Sequence, residues 1–359
     1  MILQQLRHRP GQALVLCLGL CVAFLLPLFS WQGVAALEQT LLQRARQSPV
    51  LLGPPGSRTD LVLGALFFQG RVQGALTVED VNALQERVQG TVLPLGLNAS
   101  AQGRPLVGTE PEYLASRGLV LAEGRRFAVV GEVVAGSETG LGVGDSLRSD
   151  VSSLYDVQGS SLVVEVVGVL EPSGGPDDRI LLTGMATTWA AQGLLHGHEA
   201  TDQADPSLFL FDRVDPETLK GFHGHGEQLQ WPVQAAVLLP ADDRERDQVL
   251  AEWSGRSELQ ILQPEQQVEE LLTLVLRLRR GLAFFYGAVA ASTGAFVVLV
   301  LSLSVRLRRD ELVLLRRLGA SRAQVVGLIA GELALISLAA LVAALALSSL
   351  LVEVLLSWS

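Results

Sequence analysis

Long apolar runs near both ends of the chain enclose a polar middle region. One run covers residues 13–29, a second covers residues 281–305, and a third covers residues 325–352. The second and third exceed the roughly 20 residues that an α-helix needs to cross a bilayer, and the first contains no charged residue. The pattern therefore predicts three membrane-spanning helices, with residues 37–276 forming a polar part between the first and the second.

The first run follows a short basic segment at residues 7–9. Two interpretations are open for it. The small residues at positions 34–36 are typical of the cleavage site of a secretory signal peptide, but the run is equally suited to an uncleaved first membrane helix. In both cases we expect a cytoplasmic N-terminus and a chain that crosses outward.

The connection between the second and third runs is rich in arginine. Arginine clustered in a short loop between two spans marks the cytoplasmic side of a membrane. Gly319 offers a helix stop, and Ser321 with Gln324 forms a Ser-x-x-Gln capping box that predicts the start of the next helix. The leucines near one helical face are Leu307, Leu314 and Leu318, and the arginines are Arg306, Arg308, Arg309, Arg316, Arg317 and Arg322. The sequence thus predicts a span, a short amphipathic helix at the cytoplasmic surface, a sharp break and a further span.

This connection resembles the one between the second and third membrane helices of FtsX/MacB-type ABC transporter permeases. Members carry an Arg-Arg-x-Glu start, a Leu-Leu-Arg-x-Leu-Gly-Ala-Ser core and a glutamate early in the next helix. The matching positions are Arg308, Arg309, Glu311, residues 314–319, Ala320, Ser321 and Glu332. In that family the short helix docks on the ATPase subunit. The resemblance therefore implies an ATPase-docking site formed by Arg309, Glu311, Leu314, Leu315, Arg317, Leu318 and Gly319. It also favours the uncleaved membrane helix at the N-terminus.

The middle region alternates helix and strand signals. Residues 48–60, which contain three prolines, predict a linker or turn, and Thr77 with Asp80 predicts a capped helix start. Residues 61–68, 126–130 and 235–239 predict strands. Several segments resemble the periplasmic domain of MacB-like permeases, and we interpret them as turn and strand chemistry that carries no catalysis. These segments are residues 108–113, 126–134, 140–147, 162–172 and 177–180.

Two His-Gly-His triplets raise the question of a metal site. Paired imidazoles two residues apart can bind one metal ion, and four of them suit tetrahedral zinc. The triplets, His196–His198 and His223–His225, lie in polar stretches that predict exposed loops, so we do not expect a metal there. The chain has no Gly-x-x-x-x-Gly-Lys-Ser/Thr phosphate loop, so we expect ATP to bind a partner subunit and this chain to carry neither a cofactor nor an enzyme activity.

The charge distribution of the chain excludes one class of partner. The formal net charge is −10 although the connection is basic, so the acidic excess lies in the middle region and argues against nucleic acid as a partner.

Small residues at four-residue spacing predict helix-packing faces in the membrane. They are Gly287, Ala291 and Ala295 in the second run, and Gly327 and Gly331 in the third.

Together these features predict an α-helical membrane protein with three spans and a large α+β extracytoplasmic domain. Residues 1–36 would hold the N-terminal stub and first membrane helix, residues 37–276 the MacB-like periplasmic domain, and residues 277–359 the FtsX-like membrane domain. The expected location is a bacterial inner membrane, with the N-terminus in the cytoplasm and the large domain outside.

The resemblance implies the permease subunit of an ABC transporter of the mechanotransmission type. Such a subunit relays ATP hydrolysis by a separate ATPase to an extracytoplasmic domain, for export or extraction of lipoproteins, peptides or amphiphiles. Its implied partners are the ATPase subunit, a second permease in a homodimer or heterodimer, membrane lipids and a periplasmic adaptor. Two alternatives remain open: an FtsX-like regulator of a cell-wall hydrolase, and a membrane-anchored metal-binding periplasmic protein.

The sequence departs from the family in one respect. Family permeases have four membrane helices, whereas this chain reaches Ser359 just after its third apolar run. Three crossings from a cytoplasmic N-terminus would place the last residue outside. A truncated gene, a split gene and a true three-span variant each account for the difference.

Overall fold

The computed structural model describes residues 10–150, 162–197, 222–224, 227–307, 317 and 321–358. The chain divides into two compact units. One unit, the helical unit, comprises Met1–Gln39 and Leu271–Ser359. The other, the sheet domain, comprises Thr40–Glu270.

Helices and strands alternate along the sheet domain, while the helical unit is built from long helices. The helices are α1 (Pro10–Arg46), α2 (Arg58–Phe67), α3 (Val78–Gln85), α4 (Glu112–Ser116), α5 (Met185–Ala191), α6 (Asp243–Trp253), α7 (Pro264–Leu307) and α8 (Arg322–Trp358). The strands are β1 (Val50–Gly53), β2 (Leu76–Thr77), β3 (Thr91–Ala101), β4 (Arg104–Thr109), β5 (Leu121–Gly124), β6 (Glu132–Ala135), β7 (Ser146–Arg148), β8 (Val163–Leu170), β9 (Leu181–Gly184), β10 (Leu195–Gly197), β11 (Phe222–Gly224), β12 (Pro232–Val233), β13 (Ala235–Leu239) and β14 (Gln260–Leu262).

One mixed sheet organises the sheet domain. Its described strands run in the order β14-β1-β13-β3-β4-β9-β6-β8-β5, with β7 beside β8. The pairs β4–β9 and β6–β8 are parallel, and the remaining pairs of this sheet are antiparallel. β1 is buried at all four positions, because strands lie on both sides of it and side chains cover both faces. The result is an α/β domain in which antiparallel pairing dominates.

Helix α5 packs closely on the centre of this sheet. Gly96 of β3 and Gly108 of β4 oppose each other in the register. A side chain added at either glycine would come within 2.7 Å of Thr188 in α5. The two glycines therefore let the helix approach the strands. The aromatic rings of Trp189 and Trp231, 5.0 Å apart, fill the adjoining core.

Several local predictions for the middle region are confirmed. Thr77 caps α3 through a capping box with Asp80, and residues 235–239 form β13. Each of these two segments carries a local sequence signal that indicates its structure without long-range contacts. A capping box satisfies backbone N–H groups within one turn, and the apolar run of β13 suits a strand buried on both faces.

Three other predictions for the middle region are wrong. Residues 61–68 form most of helix α2 instead of a strand, because the Ser57 side chain caps the helix and Phe68 ends it in the left-handed conformation. Residues 48–60 were predicted to be a linker or turn throughout, but residues 50–53 form the buried strand β1. Residues 126–130 form no strand, because the Glu132 carboxylate accepts hydrogen bonds from the Ala128 and Val129 amides and curls this segment into a loop.

Among the described residues, two helical segments are long and apolar enough to cross a membrane. They are Leu14–Arg46 in α1 and Leu333–Val354 in α8. The apolar stretch found among the described side chains of α7, Phe284–Leu299, is shorter than a full span. The predicted count of three spans is therefore not confirmed, and the described residues support two candidates.

One face of α8 is buried within the helical unit. Its residues repeat every fourth position, while leucines on the other faces are exposed. The buried residues are Ile336, Ala340, Ala344, Ser348 and Val352. The small residues singled out in the second run, Gly287, Ala291 and Ala295, are exposed in this single chain. Packing inside the unit thus uses a different small-residue face from the ones the sequence suggested.

Candidate functional site

The predicted ATPase-docking segment connects α7, which ends at Leu307, to α8, which begins at Arg322. Arg317 is helical and exposed. The remaining predicted docking residues lie outside the described residues: Arg309, Glu311, Leu314, Leu315, Leu318 and Gly319.

The start of α8 confirms the predicted capping box. The Ser321 amide donates to Gln324 Oε1 at 2.9 Å, and the Gln324 amide donates to Ser321 Oγ at 3.2 Å. These two bonds satisfy backbone N–H groups that would otherwise lack partners at a helix start. The last apolar helix therefore begins just after Ser321, as the sequence predicted.

A second candidate site lies at the end of α1, where buried charged side chains of the described residues cluster in the sheet domain. The topology brings the inner ends of α1 and α7 together there. α1 ends at Arg46, shortly before β1, and α7 begins at Pro264, shortly after β14. β1 and β14 are antiparallel neighbours, with Leu51 opposite Leu262. Both helices therefore attach to the same end of one strand pair.

Arg44, in the last turn of α1, ties three separate segments of the sheet domain together. Its side chain is 7% exposed. Nη1 and Nη2 donate to the two carboxylate oxygens of Asp177 at 2.5 and 3.1 Å. Nη2 also donates to the Tyr113 hydroxyl at 3.1 Å, and Nε donates to the Leu66 carbonyl at 2.9 Å. A bidentate guanidinium–carboxylate pair fixes geometry as well as charge.

The partners of Arg44 are themselves held in place. The Tyr113 hydroxyl donates to Asp177 Oδ1 at 3.0 Å, and both residues are almost completely buried. Burial raises the pKa of the Tyr113 hydroxyl, and the nearby Asp177 carboxylate raises it further, so the tyrosine remains a neutral donor. Asp177 thus accepts from a cation and a hydroxyl at once. Breaking such a buried pair by removing one partner costs about 3–5 kcal/mol.

A second buried arginine holds the chain just after α1. Arg117, 8% exposed, donates from Nη2 to Ser48 Oγ at 2.5 Å. Its guanidinium lies 5.3 Å from the centre of the Tyr113 ring, and its Nη1 has no hydrogen-bond partner among the described residues. Burial lowers the pKa of Arg117. We call Arg44, Ser48, Tyr113, Arg117 and Asp177 the junction cluster.

At the start of α7 the ion pair is exposed and the buried residues are apolar. Arg46 Nε donates to Glu265 Oε1 at 2.8 Å, but these side chains are 65% and 41% exposed. Exposed ion pairs of this sort contribute about 0–1 kcal/mol. The buried residues of α7 between 264 and 270 are Pro264 and Val268, which are both apolar.

The sequence did not reveal the junction cluster. Tyr113 and Asp177 lie in segments that resemble MacB-like domains, but a sequence motif shows neither burial nor the pairing of residues 133 positions apart. Arg44 and Arg46 look alike at the end of an apolar helix, and only the fold shows that Arg44 is buried and Arg46 is exposed. A pair of arginines after a predicted membrane helix was the available signal, and it did not distinguish Arg44 from Arg46.

The His-Gly-His triplets are not simple loops. Leu195–Gly197 and Phe222–Gly224 form the antiparallel pair β10–β11, with His196 opposite His223. The predicted loop structure is therefore wrong for these residues, while His198 and His225 lie outside the described residues. Among the described residues, no three histidine, cysteine or acidic side chains group as metal ligands.

Comparisons with known proteins match both parts of the chain. Residues 15–218 match the MacB-like periplasmic core domain, and residues 283–359 match the FtsX-like permease C-terminal domain. No curated protein matches the sequence. A similar solved structure is the periplasmic region of MacB from Actinobacillus actinomycetemcomitans, at 12% identity and a TM-score of 0.36, covering 64% of this chain and 97% of that one. Another is the extracellular domain of the noncanonic ABC-type transporter YknZ from Gram-positive bacteria, at 14% identity and a TM-score of 0.33, covering 59% and 98%.

Proposed function

Because the chain belongs to the FtsX/MacB-like family of ABC transporter permeases, we propose that it is a permease subunit of the mechanotransmission type. Permeases of this family work with ABC ATPase partners. In this proposal a separate ATPase subunit binds and hydrolyses ATP, and the present chain carries the resulting movement to the sheet domain. The chain itself is no enzyme and holds no cofactor.

The observation that carries the proposal is the attachment of α1 to the sheet domain. α1 is one helix of 37 residues, and it contains Pro27. It ends in the buried contacts between Arg44 and Asp177. A membrane anchor that only tethers a domain needs no such attachment, since a flexible linker would serve. A relay of movement does need a fixed attachment at the end of the helix.

We assign the sheet domain to the outer side of a bacterial cell membrane and the arginine-rich connection to the cytoplasmic side, following the positive-inside rule. Two copies of the chain, or one copy and a related permease, would pair in the membrane. The movement would act on lipoproteins, peptides or amphiphiles at the outer face, in concert with a periplasmic adaptor. Docking to the ATPase would use Leu314, Leu315 and Leu318 as apolar anchors, Glu311, Arg309 and Arg317 as orienting charges, and Gly319 as the helix stop.

The test is co-purification with an ABC ATPase subunit co-expressed with this chain, together with the ATPase rate in the complex. Leu315→Asp places a charge where an apolar anchor is expected and should weaken docking by about 2 kcal/mol, roughly thirtyfold in affinity. Val313→Asp is the matched control, because position 313 lies on the opposite side of a helix from position 315. The proposal predicts loss of co-purification for Leu315→Asp only. Equal binding by both variants and the unmodified chain would reject the docking helix.

A further inference from the structure

The strands β10 and β11 bring together two histidines from different His-Gly-His triplets. His196 of β10 is directly opposite His223 of β11 in the antiparallel register. Residues directly opposed in such a pair lie on one face, with Cβ atoms about 4.5–5.5 Å apart. The sequence argued against a metal at the triplets because their surroundings are typical of exposed loops, and the strand pairing removes that reason.

One face of this strand pair is held against the sheet domain. Leu195 of β10 packs against two buried apolar clusters of the domain. Its register partner Gly224 lies so close to the Trp231 ring that an added Cβ would come within 2.2 Å of it. The Leu194 amide, just before β10, donates to the Trp189 carbonyl of α5 at 2.9 Å. The position of the strand pair is therefore set by residues other than the histidines.

Positions 196 and 223 belong to the other face of the pair. Successive residues of a strand alternate between the two faces of a sheet. Leu195 and Gly224 lie on the face that contacts the core, so their neighbours His196 and His223 are placed on the opposite face. The backbone thus sets two histidines side by side before any ligand binds, and such preorganisation lowers the cost of binding.

Two imidazoles suit a divalent transition-metal ion. Imidazole nitrogen binds Zn²⁺ at about 2.0–2.1 Å and also suits copper and nickel, whereas Mg²⁺ and Ca²⁺ prefer oxygen ligands. Among the described residues, no three histidine, cysteine or acidic side chains form a group of ligands. The described part of the chain therefore offers two protein ligands, and water completes the coordination of the ion.

We propose that His196 and His223 form a two-histidine site for a divalent transition-metal ion, which crosslinks β10 and β11. The ion takes no part in a reaction, and its binding does not depend on an ATPase partner. It holds together the two strands between which residues 198–221 are inserted in the sequence. An ion that binds only the folded chain also stabilises it.

The test is the binding of Zn²⁺ to the full chain in mild detergent, measured by isothermal titration after treatment with a chelator. The chain is purified with an affinity tag that contains no histidine. The variant His196→Asn, His223→Asn removes both proposed ligands. The exchange variant Phe222→His, His223→Phe keeps the number of histidines but moves one of them to the other face of β11.

Two control variants remove the remaining histidines of the chain. His8→Asn changes a histidine far from the triplets in the sequence, and His198→Asn, His225→Asn changes the second histidine of each triplet. The unfolding midpoint of every variant is measured without metal to verify that it is folded. If the variant without both ligands does not fold, His223→Asn alone tests the same loss.

For the unmodified chain we expect one bound Zn²⁺ per chain and a higher unfolding midpoint in its presence. The variant without both ligands and the exchange variant should bind more than about a hundredfold more weakly, since the loss of an outer-shell partner alone costs about 10–100-fold. Both control variants should still bind one ion per chain.

Three results would overturn the site. The first is the absence of stoichiometric Zn²⁺ binding by the unmodified chain. The second is retained affinity in the exchange variant, because the strand register would then not position the ligands. The third is an equal loss of affinity in His198→Asn, His225→Asn, because the triplets would then bind metal without relying on the pair formed by His196 and His223.

Discussion

Replacing Asp177 with asparagine tests the ion pair between Arg44 and Asp177 in the junction cluster. Asp177 is 1% exposed and accepts two hydrogen bonds from Arg44 and one from Tyr113. Asparagine has nearly the same shape but keeps only one acceptor oxygen, and its NH2 group would face donors. The Arg44 cation would then lie buried beside a neutral side chain.

The expected loss of stability follows from that geometry. Removing one partner of a buried ion pair costs about 3–5 kcal/mol, because the remaining charge stays buried without compensation. Asparagine still accepts one bond, so we expect a value near the lower end, about 3 kcal/mol. Domains of this size are stable by about 5–15 kcal/mol, so the change removes a large share of the total.

Tryptophan fluorescence offers a selective assay for the sheet domain. Trp189, Trp231 and Trp253 belong to one buried cluster of that domain. The protein is unfolded with urea in mild detergent, in a background where Trp31 and Trp358 are changed to phenylalanine. The shift of the transition midpoint at constant slope gives the change in unfolding free energy.

Asp178 provides the matched control for this prediction. It is equally buried, but its carboxylate accepts only backbone N–H groups, from Ser173 and Gly174. Asp178→Asn leaves no buried cation behind and should cost about 1 kcal/mol. If Asp177→Asn costs no more than Asp178→Asn, the ion pair with Arg44 contributes nothing special and the reasoning about the junction fails.

Three further predictions concern the Tyr113 hydroxyl, the loop held by Glu132 and the membrane topology. Tyr113→Phe removes one donor from Asp177 and one acceptor from Arg44, and should cost about 1–2 kcal/mol in the same unfolding assay; no loss would mean that the hydroxyl is dispensable. The Arg125 guanidinium holds the pKa of the Glu132 carboxyl below its usual value, so the stability that Glu132 contributes is present above about pH 4.3 and is lost as pH falls through the lowered folded-state pKa. Glu132→Gln should therefore flatten the acid side of the stability profile, and an unchanged profile contradicts the assignment. A reporter fused after Arg322 should be active as a cytoplasmic protein, and one inserted after Gln102, in the exposed β3–β4 turn, as an external protein; the reverse result would invert the proposed orientation.

The sequence predicted those elements whose signals are local. The capping boxes at Thr77 and Ser321 satisfy backbone groups within one turn of helix, so two residues three positions apart are enough to specify each. Apolar runs of four to eight residues are ambiguous, because helix and strand can both bury them. Residues 61–68 show this, since the cap at Ser57 and the turn at Phe68 decide for a helix.

The junction cluster could not be predicted because it depends on long-range pairing. β1 was hidden in a stretch rich in proline and glycine, and its place beside β13 and β14 brings the end of α1 next to the start of α7. Arg44 meets Asp177 only once that sheet is assembled. The docking residues were predicted through family resemblance, and Arg317 is the one that lies in the described part of the chain.

Arg117 provides a final prediction that runs against the usual expectation for a buried charge. In contrast to Arg44, it has no carboxylate among its hydrogen-bond partners in the described part of the chain, where its Nη1 is buried without a partner. A buried cation whose one hydrogen bond goes to a serine hydroxyl lowers stability. Replacing buried charges by apolar side chains is often neutral or stabilising by about 1–4 kcal/mol. We therefore expect Arg117→Met to leave the unfolding midpoint unchanged or raise it, whereas Arg44→Met alone should lower it sharply, because that change strands the Asp177 carboxylate. A loss of more than about 2 kcal/mol for Arg117→Met would show that Asp177 needs both arginines as counter-charges. In that case the junction is a single three-charge unit, and the fixed end of α1 extends through Ser48 into the strand that follows.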